Sequence, residues 1–227
     1  GEIPLCPYDS CRLLGINLFG YVQNPFTKEA YFDFDLFKKH AAMAQRIMDD
    51  IVDLEIEKVD AILDKIINDP EDEETKRIEK QLWQKIKEKS KQGRRTGIGI
   101  TAEGDMLAAL GLIYGTDEAT EFSVEVHKTP DTEAYRSSVK MAKDRGSFPV
   151  FDYKKEEDNP FIKRIATVDP QIVEDMQKYG RRNIALLTIA PTGSVSICTQ
   201  TTSGIEPAYL IAYTRKRKVN PNDASVQ

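Results

Sequence analysis

Three short apolar runs, far apart in the chain, constrain the fold more than any other feature. They are "LLGINLF" (13–19), "TGIGIT" (96–101) and "NIALLTI" (183–189). Each has the length and residue types of a buried β-strand, and helical spacing dominates the residues between them. Strands that alternate with helices pair in parallel, because the helix carries the chain back to the same end of the sheet. The sequence therefore predicts an α/β fold with a mostly parallel sheet.

A helix is predicted over 34–54, because apolar residues recur there every three or four positions. Its predicted buried face consists of Phe37, Ala41, Ala44, Ile47, Met48, Ile51 and Leu54. From about 55 to 93 the composition shifts to charged residues, and Asp69 and Pro70 interrupt the segment. Acidic residues precede lysines in its second half, which suits the helix dipole. We predict a charged helical excursion on the surface.

Further helices are predicted between the second and third apolar runs. Their ranges are 102–115, 116–126, 131–145 and 171–179. Thr129 and Pro130 are interpreted as the cap and first turn of the third of these, and residues 146–160 as a loop. A Gly-x-Gly in the second apolar run does not indicate a dinucleotide site, because no third glycine follows at the required spacing.

The composition excludes several classes of protein. Hydrophobic residues make up 40% and charged residues 30% of 227 positions, which is typical of a soluble globular chain. The net charge of −5 predicts no nucleic-acid binding, and the basic run 215–218 is interpreted as solvated. No apolar stretch approaches the roughly 20 residues of a membrane span. Three cysteines are too few for a disulfide scaffold, so we predict a cytoplasmic protein.

The third apolar run ends abruptly at Ala190 and Pro191, and Thr192, Gly193 and Ser194 follow. Proline ends a strand ladder because it has no backbone donor. Hydroxyl groups beside a glycine, at the carboxyl end of a parallel strand, suit an anion, and a helix that begins here would add free N–H groups. A strand-to-helix turn with Thr192 as N-cap explains the same residues without a ligand. The residues alone leave both interpretations open.

Taken with its neighbours, the segment "TIAPTGSVSICTQTTSGIEPAY" (188–209) resembles the phosphate-binding segment of ribonucleotide reductase catalytic subunits. In that family Ala-Pro-Thr-Gly-Ser is followed by Ser-Gly-Ile-Glu-Pro. Three other segments, 1–19, 38–53 and 93–115, are similar to family segments and occur in the family's order. The resemblance therefore covers nearly the whole chain.

The resemblance implies that the fold is the C-terminal part of a ten-stranded α/β barrel, incomplete in this chain. Residues 1–227 would form one partial catalytic barrel domain, with the charged excursion at about 55–93 and a further strand at 208–219. The family's Asn-x-Cys-x-Glu motif carries the radical cysteine. Its Asn and Cys would lie just before residue 1, so we expect this chain to be inactive by itself.

The resemblance also implies roles for particular residues. Glu2 matches the motif's glutamate, a general base at the ribose hydroxyl, and Cys11 matches one cysteine of the redox pair that reduces the 2′ position. The residues implied in binding substrate phosphate are Ala190, Pro191, Thr192, Gly193, Ser194 and Val195. Cys6 is interpreted as structural and Cys198 as core filling. No cysteine or histidine spacing indicates a metal site, and His40 and His127 are interpreted as surface residues.

The implied reaction is radical reduction of ribonucleotides, as diphosphates, to 2′-deoxyribonucleotides. The sequences of the phosphate segment and of the charged excursion resemble those of the adenosylcobalamin-dependent (class II) enzymes. A class I large subunit, which needs a separate radical-generating subunit, and a non-catalytic nucleotide-binding fragment are the alternatives. The implied partners are the ribonucleotide, a thioredoxin-type reductant, allosteric deoxynucleotides bound by the missing part, and a second copy in a homodimer.

Overall fold

The computed structural model describes residues 3–214 and 216 of the chain. Its strands, in chain order, are β1 (Arg12–Asn17), β2 (Val22–Gln23), β3 (Tyr31–Phe32) and β4 (Thr96–Thr101). Its α-helices are α1 (Phe34–Asn68), α2 (Glu73–Gly93), α3 (Glu103–Ala109), α4 (Asp117–Arg145), α5 (Pro160–Val168), α6 (Pro170–Tyr179) and α7 (Gly193–Thr199). Short 3-10 turns at Leu18–Tyr21 and Tyr153–Lys155 complete the regular structure of the described residues.

The sheet is parallel, as predicted. β1 pairs with β4 so that Arg12 lies opposite Thr96 and Asn17 opposite Thr101. On the other edge of β4, the N–H of Ile98 donates to the carbonyl of Leu186 at 2.8 Å. Two of the three apolar runs are therefore strands, and the third runs beside β4 in the expected order.

The third run, 183–189, is not a regular strand, so that detail of the prediction is wrong. It joins the ladder through a single parallel bridge between Ile98 and Leu187. Two of its carbonyls, those of Asn183 and Ile184, accept hydrogen bonds from the Arg181 guanidinium at 2.9 and 2.8 Å. Because a side chain occupies these acceptors, the segment does not form a continuous ladder.

An aromatic cluster holds the start of α1 against the sheet. β2 and β3 form a short antiparallel pair that brings Phe32 beside Tyr21 and Phe37, with ring centroids 5.8 and 5.4 Å apart. The buried apolar core continues from this cluster through both faces of β4 to α3, α4 and α6. Its largest fully buried side chains are Phe37, Leu18, Met48, Ile98, Met106, Leu107, Met176 and Leu186.

The buried face of α1 is rotated from the predicted one. Phe37 and Met48 are buried as predicted, and so are the two small residues of the face. Ile47, Ile51 and Leu54 are 46%, 37% and 61% exposed, so their predicted burial is wrong. The apolar periodicity alone does not decide which side of this helix faces the core.

Polar contacts account for the rotation of α1. Gln45, Asp49 and Val52 are buried on the face that points toward β4. The Asp49 carboxylate accepts hydrogen bonds from Arg94 Nε at 2.7 Å and from Asn183 Nδ2 at 2.9 Å. Gln45 Nε2 donates to Asn183 Oδ1 at 2.9 Å. A buried carboxylate is tolerated only with such partners, and their position fixes the orientation of the helix.

α4 is one continuous helix, so the predicted break at Pro130 is wrong. Pro130 has no N–H to donate to the carbonyl of Val126, which normally ends or bends a helix. The Thr132 hydroxyl donates to the carbonyl of Lys128 at 2.9 Å, and the proline itself is buried in the core. Tertiary packing therefore outweighs the local preference.

Helix α5 is absent from the prediction, although its signals are in the sequence. The Asn159 side chain accepts a hydrogen bond from the N–H of Phe161 at 2.9 Å, and Pro160 occupies the first helical position. Ile162 and Ile165 form its buried stripe. Helix α6, by contrast, ends at Gly180 as predicted, with only its first residue added.

The helices predicted within 55–93 are present as the second half of α1 and as α2, with a break at Asp69 and Pro70. Asp72 caps α2 by accepting from two backbone N–H groups at 3.0 Å. The apolar side chains of Ile78 and Leu82 are 54% and 42% exposed. Among the described residues, no helix is both long and apolar enough to cross a membrane.

Candidate functional site

The loop 190–195 follows the segment beside β4 and leads directly into α7. Thr192 and Ala190 are buried, whereas Gly193, Ser194 and Val195 are exposed. The first helical N–H to find an intrahelical acceptor is that of residue 196, which bonds the carbonyl of Thr192 at 2.7 Å. The N–H groups of the exposed residues precede it, so they have no acceptor within the helix. The loop therefore presents backbone donors on an exposed turn.

Thr192 occupies the N-cap position of α7, yet its side chain makes no capping hydrogen bond. The hydroxyl points inward, 2.9 Å from Thr101 Oγ1 and 3.2 Å from Ser203 Oγ. It also accepts from the N–H of Gly204 at 3.0 Å. The interpretation of Thr192 as a simple N-cap therefore does not describe what its hydroxyl does.

The contacts of Thr192 use its whole hydrogen-bonding capacity. Thr101 Oγ1 donates to the carbonyl of Thr202 at 3.0 Å, so in its contact with Thr192 it accepts. Thr192 then donates to Thr101, and its two lone pairs accept from Ser203 and from the N–H of Gly204. No donor of the Thr192 side chain is left for an anion. Only the backbone and Ser194 can offer donors outward.

The segment 202–204 is tied to the end of β4 and the start of α3. The N–H of Ala102 donates to the carbonyl of Thr202 at 3.1 Å, and the N–H of Glu103 donates to that of Gly204 at 3.1 Å. The N–H of Thr202 donates to Asp105 Oδ2 at 2.7 Å. The end of β4 thus supports both the loop 190–195 and the segment that follows α7.

Close packing of the glycines in β4 lets the loop segment lie directly on the strand. A Cβ on Gly99 would overlap the carbonyl oxygen of Thr188. A Cβ on Gly97 would lie 2.6 Å from Thr188 Cγ2 and 3.2 Å from Cys11 Sγ. The Gly-x-Gly of this strand therefore allows close backbone packing. The Cys11 side chain lies against the same strand, beside Gly97.

A cavity of about 130 Å³ lies between β1, β4 and the loop. Its lining residues are Leu13, Leu14, Gly15, Gly97, Gly99, Thr188, Ala190, Pro191, Thr192 and Val195. Cys11 is half-buried beside this lining, whereas Cys6 and Cys198 are exposed. The prediction that Cys198 fills the core is wrong, because α7 turns it outward. Of the three cysteines, Cys11 is the one placed beside the cavity.

Not every predicted site residue can be placed. Glu2 lies outside the described residues, and so does most of the basic run 215–218, so these interpretations stay predictions. The described part of the predicted strand 208–219 contains no strand.

The two histidines lie away from the cavity lining in the part of the chain that the structure describes. His40 Nδ1 is 3.0 Å from the Tyr21 hydroxyl. His127 Nε2 is 2.8 Å from the buried carboxylate of Glu103, and this hydrogen bond raises the pKa of His127 above its usual range although burial opposes it. Both histidines therefore have structural partners, and neither is placed to act at the loop.

The residues that support the loop were missed by the sequence analysis. Thr101, Asp105 and Ser203 carry no signal of their own, because threonine, aspartate and serine are common in turns. Thr101 does end a buried strand, where side chains from neighbouring strands meet, and this position was the available clue.

Comparison with known proteins identifies the family and the fold. The family described as "Ribonucleotide reductase, barrel domain" matches residues 1–225. The chain belongs to this family. An α subunit of class Id ribonucleotide reductase from Actinobacillus ureae superposes with a TM-score of 0.55 at 20% identity, over 87% of this chain and 28% of that subunit. The predicted α/β barrel fold, incomplete in this chain, is thereby confirmed.

Several relatives of this reductase barrel carry names that specify a cofactor. A vitamin B12-dependent ribonucleoside-diphosphate reductase of Mycobacterium tuberculosis is 28% identical over 95% of this chain and 24% of its own length. One from Thermoplasma acidophilum is 30% identical over 95% of this chain and 22% of its own length. A ribonucleoside-diphosphate reductase subunit alpha of Chlamydia pneumoniae is 27% identical over 88% of this chain and 18% of its own length. The chain spans 18–24% of the length of these relatives.

Proposed function

We propose that this chain is part of the catalytic barrel of an adenosylcobalamin-dependent ribonucleoside-diphosphate reductase. The observation that carries the proposal is the loop 190–195, which turns exposed backbone N–H groups outward beside Cys11 in a chain of this family. We also propose that residues 1–227 form one partial catalytic barrel domain that includes a charged helical excursion at about 55–93.

In this proposal the loop binds the diphosphate of the substrate. The N–H groups of Gly193, Ser194 and Val195 and the hydroxyl of Ser194 donate to phosphate oxygens. Ala190 and Pro191 end the strand-like segment and set the direction of the turn. Thr192 contributes through its backbone and as the internal anchor of the loop, since its hydroxyl is already saturated.

Cys11 supplies one of the two thiols that reduce the substrate. Replacing the 2′ hydroxyl by hydrogen releases water and consumes two electrons and two protons, which two thiols deliver as they become a disulfide. The second thiol belongs to a part of the protein outside this chain. Glu2 would hold the proton of the 3′ hydroxyl while the 2′ hydroxyl leaves. A thioredoxin-type protein would restore the thiols.

The described residues do not form a complete site for adenosylcobalamin. The cavity beside the loop, about 130 Å³, is much smaller than a corrinoid, and both histidines are engaged elsewhere. When bound, the cofactor would supply the radical by homolysis of its cobalt–carbon bond. We propose that its site lies in the remainder of the protein.

We further propose that the complete protein works in the cytoplasm as a homodimer. Deoxynucleotides would regulate it at a site outside this chain. The low cysteine content supports a reducing compartment.

The proposal is tested in the complete catalytic chain by the double variant Gly193→Ala, Ser194→Ala. A Cβ on Gly193 meets nothing within 4 Å, so the fold tolerates it, but it would crowd a bound phosphate. Ser194→Ala also removes a hydroxyl that would donate to a charged phosphate oxygen. The variant should therefore bind ribonucleoside diphosphate about tenfold more weakly, as measured by isothermal titration calorimetry.

Gly20→Ala is the matched control, because its Cβ also meets nothing within 4 Å and it lies outside the loop. It should bind substrate as the parent protein does. Unchanged affinity in the double variant would refute the phosphate assignment. Turnover that does not depend on added adenosylcobalamin would refute the proposed class.

A further inference from the structure

We propose that Thr101, at the end of β4, is a positioning residue that sets the geometry of the phosphate loop. The inference rests on the proposed function of the loop 190–195 and adds a residue that does not itself touch the substrate. Thr101 lies 91 residues before Thr192 in the chain.

Thr101 bridges two segments that are distant from β4 in the chain. Its side chain is fully buried, and its hydroxyl contacts Thr192 Oγ1 at 2.9 Å and the carbonyl of Thr202 at 3.0 Å. One oxygen atom thus joins the last residue of the strand to the phosphate loop and to the segment after α7. Because β4 is the central strand of the described sheet, this oxygen is fixed by the core.

The loop depends on this fixed point because little else holds its side chains. Gly193, Ser194 and Val195 are exposed, and a Cβ on Gly193 would meet nothing within 4 Å. The Thr192 hydroxyl is therefore the inward anchor of the turn. Donors aimed at an anion are effective only when their direction is set before the ligand arrives. Thr101 provides that direction through Thr192.

Replacing Thr101 by valine keeps the shape and removes the bridge. The Thr192 hydroxyl then has no acceptor at this position, and the carbonyl of Thr202 loses a donor. Thr192 can still donate to Ser203 Oγ, 3.2 Å away, but the hydrogen bond that joins the loop to β4 is lost. The backbone N–H groups that follow Thr192 are then held less firmly. We expect weaker binding of the diphosphate and a normal turnover rate once substrate is bound.

The same strand offers a matched control. Thr96, at the other end of β4, is also fully buried, and its hydroxyl contacts the carbonyl of Ala185 at 3.1 Å and Gln45 Nε2 at 3.2 Å. Thr96→Val removes the same chemical group from the same strand at equal burial. It should lower the melting temperature about as much as Thr101→Val does, without changing the position of the loop 190–195.

The experiment compares Thr101→Val, Thr101→Ser and Thr96→Val in the complete catalytic chain with its cofactor. The measurements are kcat and KM for a ribonucleoside diphosphate, the dissociation constant of inorganic pyrophosphate as a minimal probe, and the melting temperature. For Thr101→Val we expect KM and the pyrophosphate dissociation constant to rise about fivefold with kcat nearly unchanged. Thr101→Ser, which keeps the hydroxyl, should restore both.

The outcomes separate the two proposals. Equal effects of Thr101→Val and Thr96→Val on pyrophosphate binding would overturn the positioning role, and so would failure of Thr101→Ser to restore binding. If Thr101→Val does not fold, Ser203→Ala, which removes one donor to Thr192, replaces it with the same expected direction. If the double variant of Gly193 and Ser194 also binds pyrophosphate normally, the phosphate assignment of the loop fails together with the positioning role of Thr101.

Discussion

The exposed part of the α1–α2 hairpin and the region around the start of β4 hold their polar side chains in opposite ways. In the hairpin, Arg77 pairs with Glu74 across one helical turn, and the two side chains are 55% and 65% exposed. Near β4, Asp49 is fully buried and contacts Arg94 and Asn183, which lie 45 and 134 positions away. The first arrangement needs only local sequence, whereas the second exists only when the whole chain is folded.

The comparison teaches where polar contacts determine the structure. Exposed ion pairs contribute little, because water competes for both partners. A buried charge cannot lose its partner without a large cost. The network around Asp49 also includes Arg182 at 3.3 Å, so one carboxylate fixes α1, the end of α2 and the start of the segment beside β4. Three predictions test this contrast, in order of decreasing effect.

Asp49→Asn should give the largest effect. It removes the buried charge that Arg94 and Arg182 share and leaves Arg94 paired only with the partly exposed Asp53, so we expect the free energy of unfolding to fall by about 3–5 kcal/mol. Urea denaturation measures this. Asp50→Asn is the control, because the neighbouring Asp50 side chain is 50% exposed. It should cost less than about 1 kcal/mol. Similar losses for the two variants would contradict the contrast.

Gly99→Ala should give an intermediate effect. Its Cβ would overlap the carbonyl oxygen of Thr188, so the loop segment has to move away from β4. We expect a loss of about 1–3 kcal/mol in urea denaturation, as is usual for overpacking. Substrate affinity should fall as well, since only Ile189 separates Thr188 from the loop 190–195. A variant that retains both stability and affinity would show that the close approach has no role.

Arg77→Ala should give the smallest effect. The Arg77 guanidinium donates to both carboxylate oxygens of Glu74, at 2.6 and 2.8 Å, but the pair is open to solvent. The midpoint of urea denaturation should stay within experimental error of that of the parent protein, at low and at high salt. A clear loss of stability would show that the hairpin is held by its surface charges and would remove the distinction drawn above.

The sequence predicted elements whose signals are local. β4 spans its predicted residues, α6 ends at its predicted glycine, and the hairpin breaks at Asp69 and Pro70. It failed where distant residues decide the outcome. Pro130 is accommodated by packing, and the buried face of α1 follows Asp49, whose partners cannot be known before the chain folds.

The candidate site divides in the same way. Loop 190–195 and Cys11 were found from motifs, and the structure places them beside one cavity wall. The inward direction of the Thr192 hydroxyl was not predictable, because it depends on Thr101 and Ser203, which meet it only in the folded chain. Motifs therefore identify the residues that would contact a ligand, but they do not identify the residues that hold those residues in place.

The hydroxyl contacts of Thr192 form a closed ring. Ser203 donates to Thr192, Thr192 to Thr101, and Thr101 to the carbonyl of Thr202, which is covalently bonded to Ser203. None of these groups ionises near neutral pH, and hydrogen bonds between neutral groups are little affected by dissolved salt. The loop is thus anchored without a fixed charge that would attract or repel an anion. Its geometry should stay constant over conditions of pH and ionic strength that change the charged surface of the hairpin.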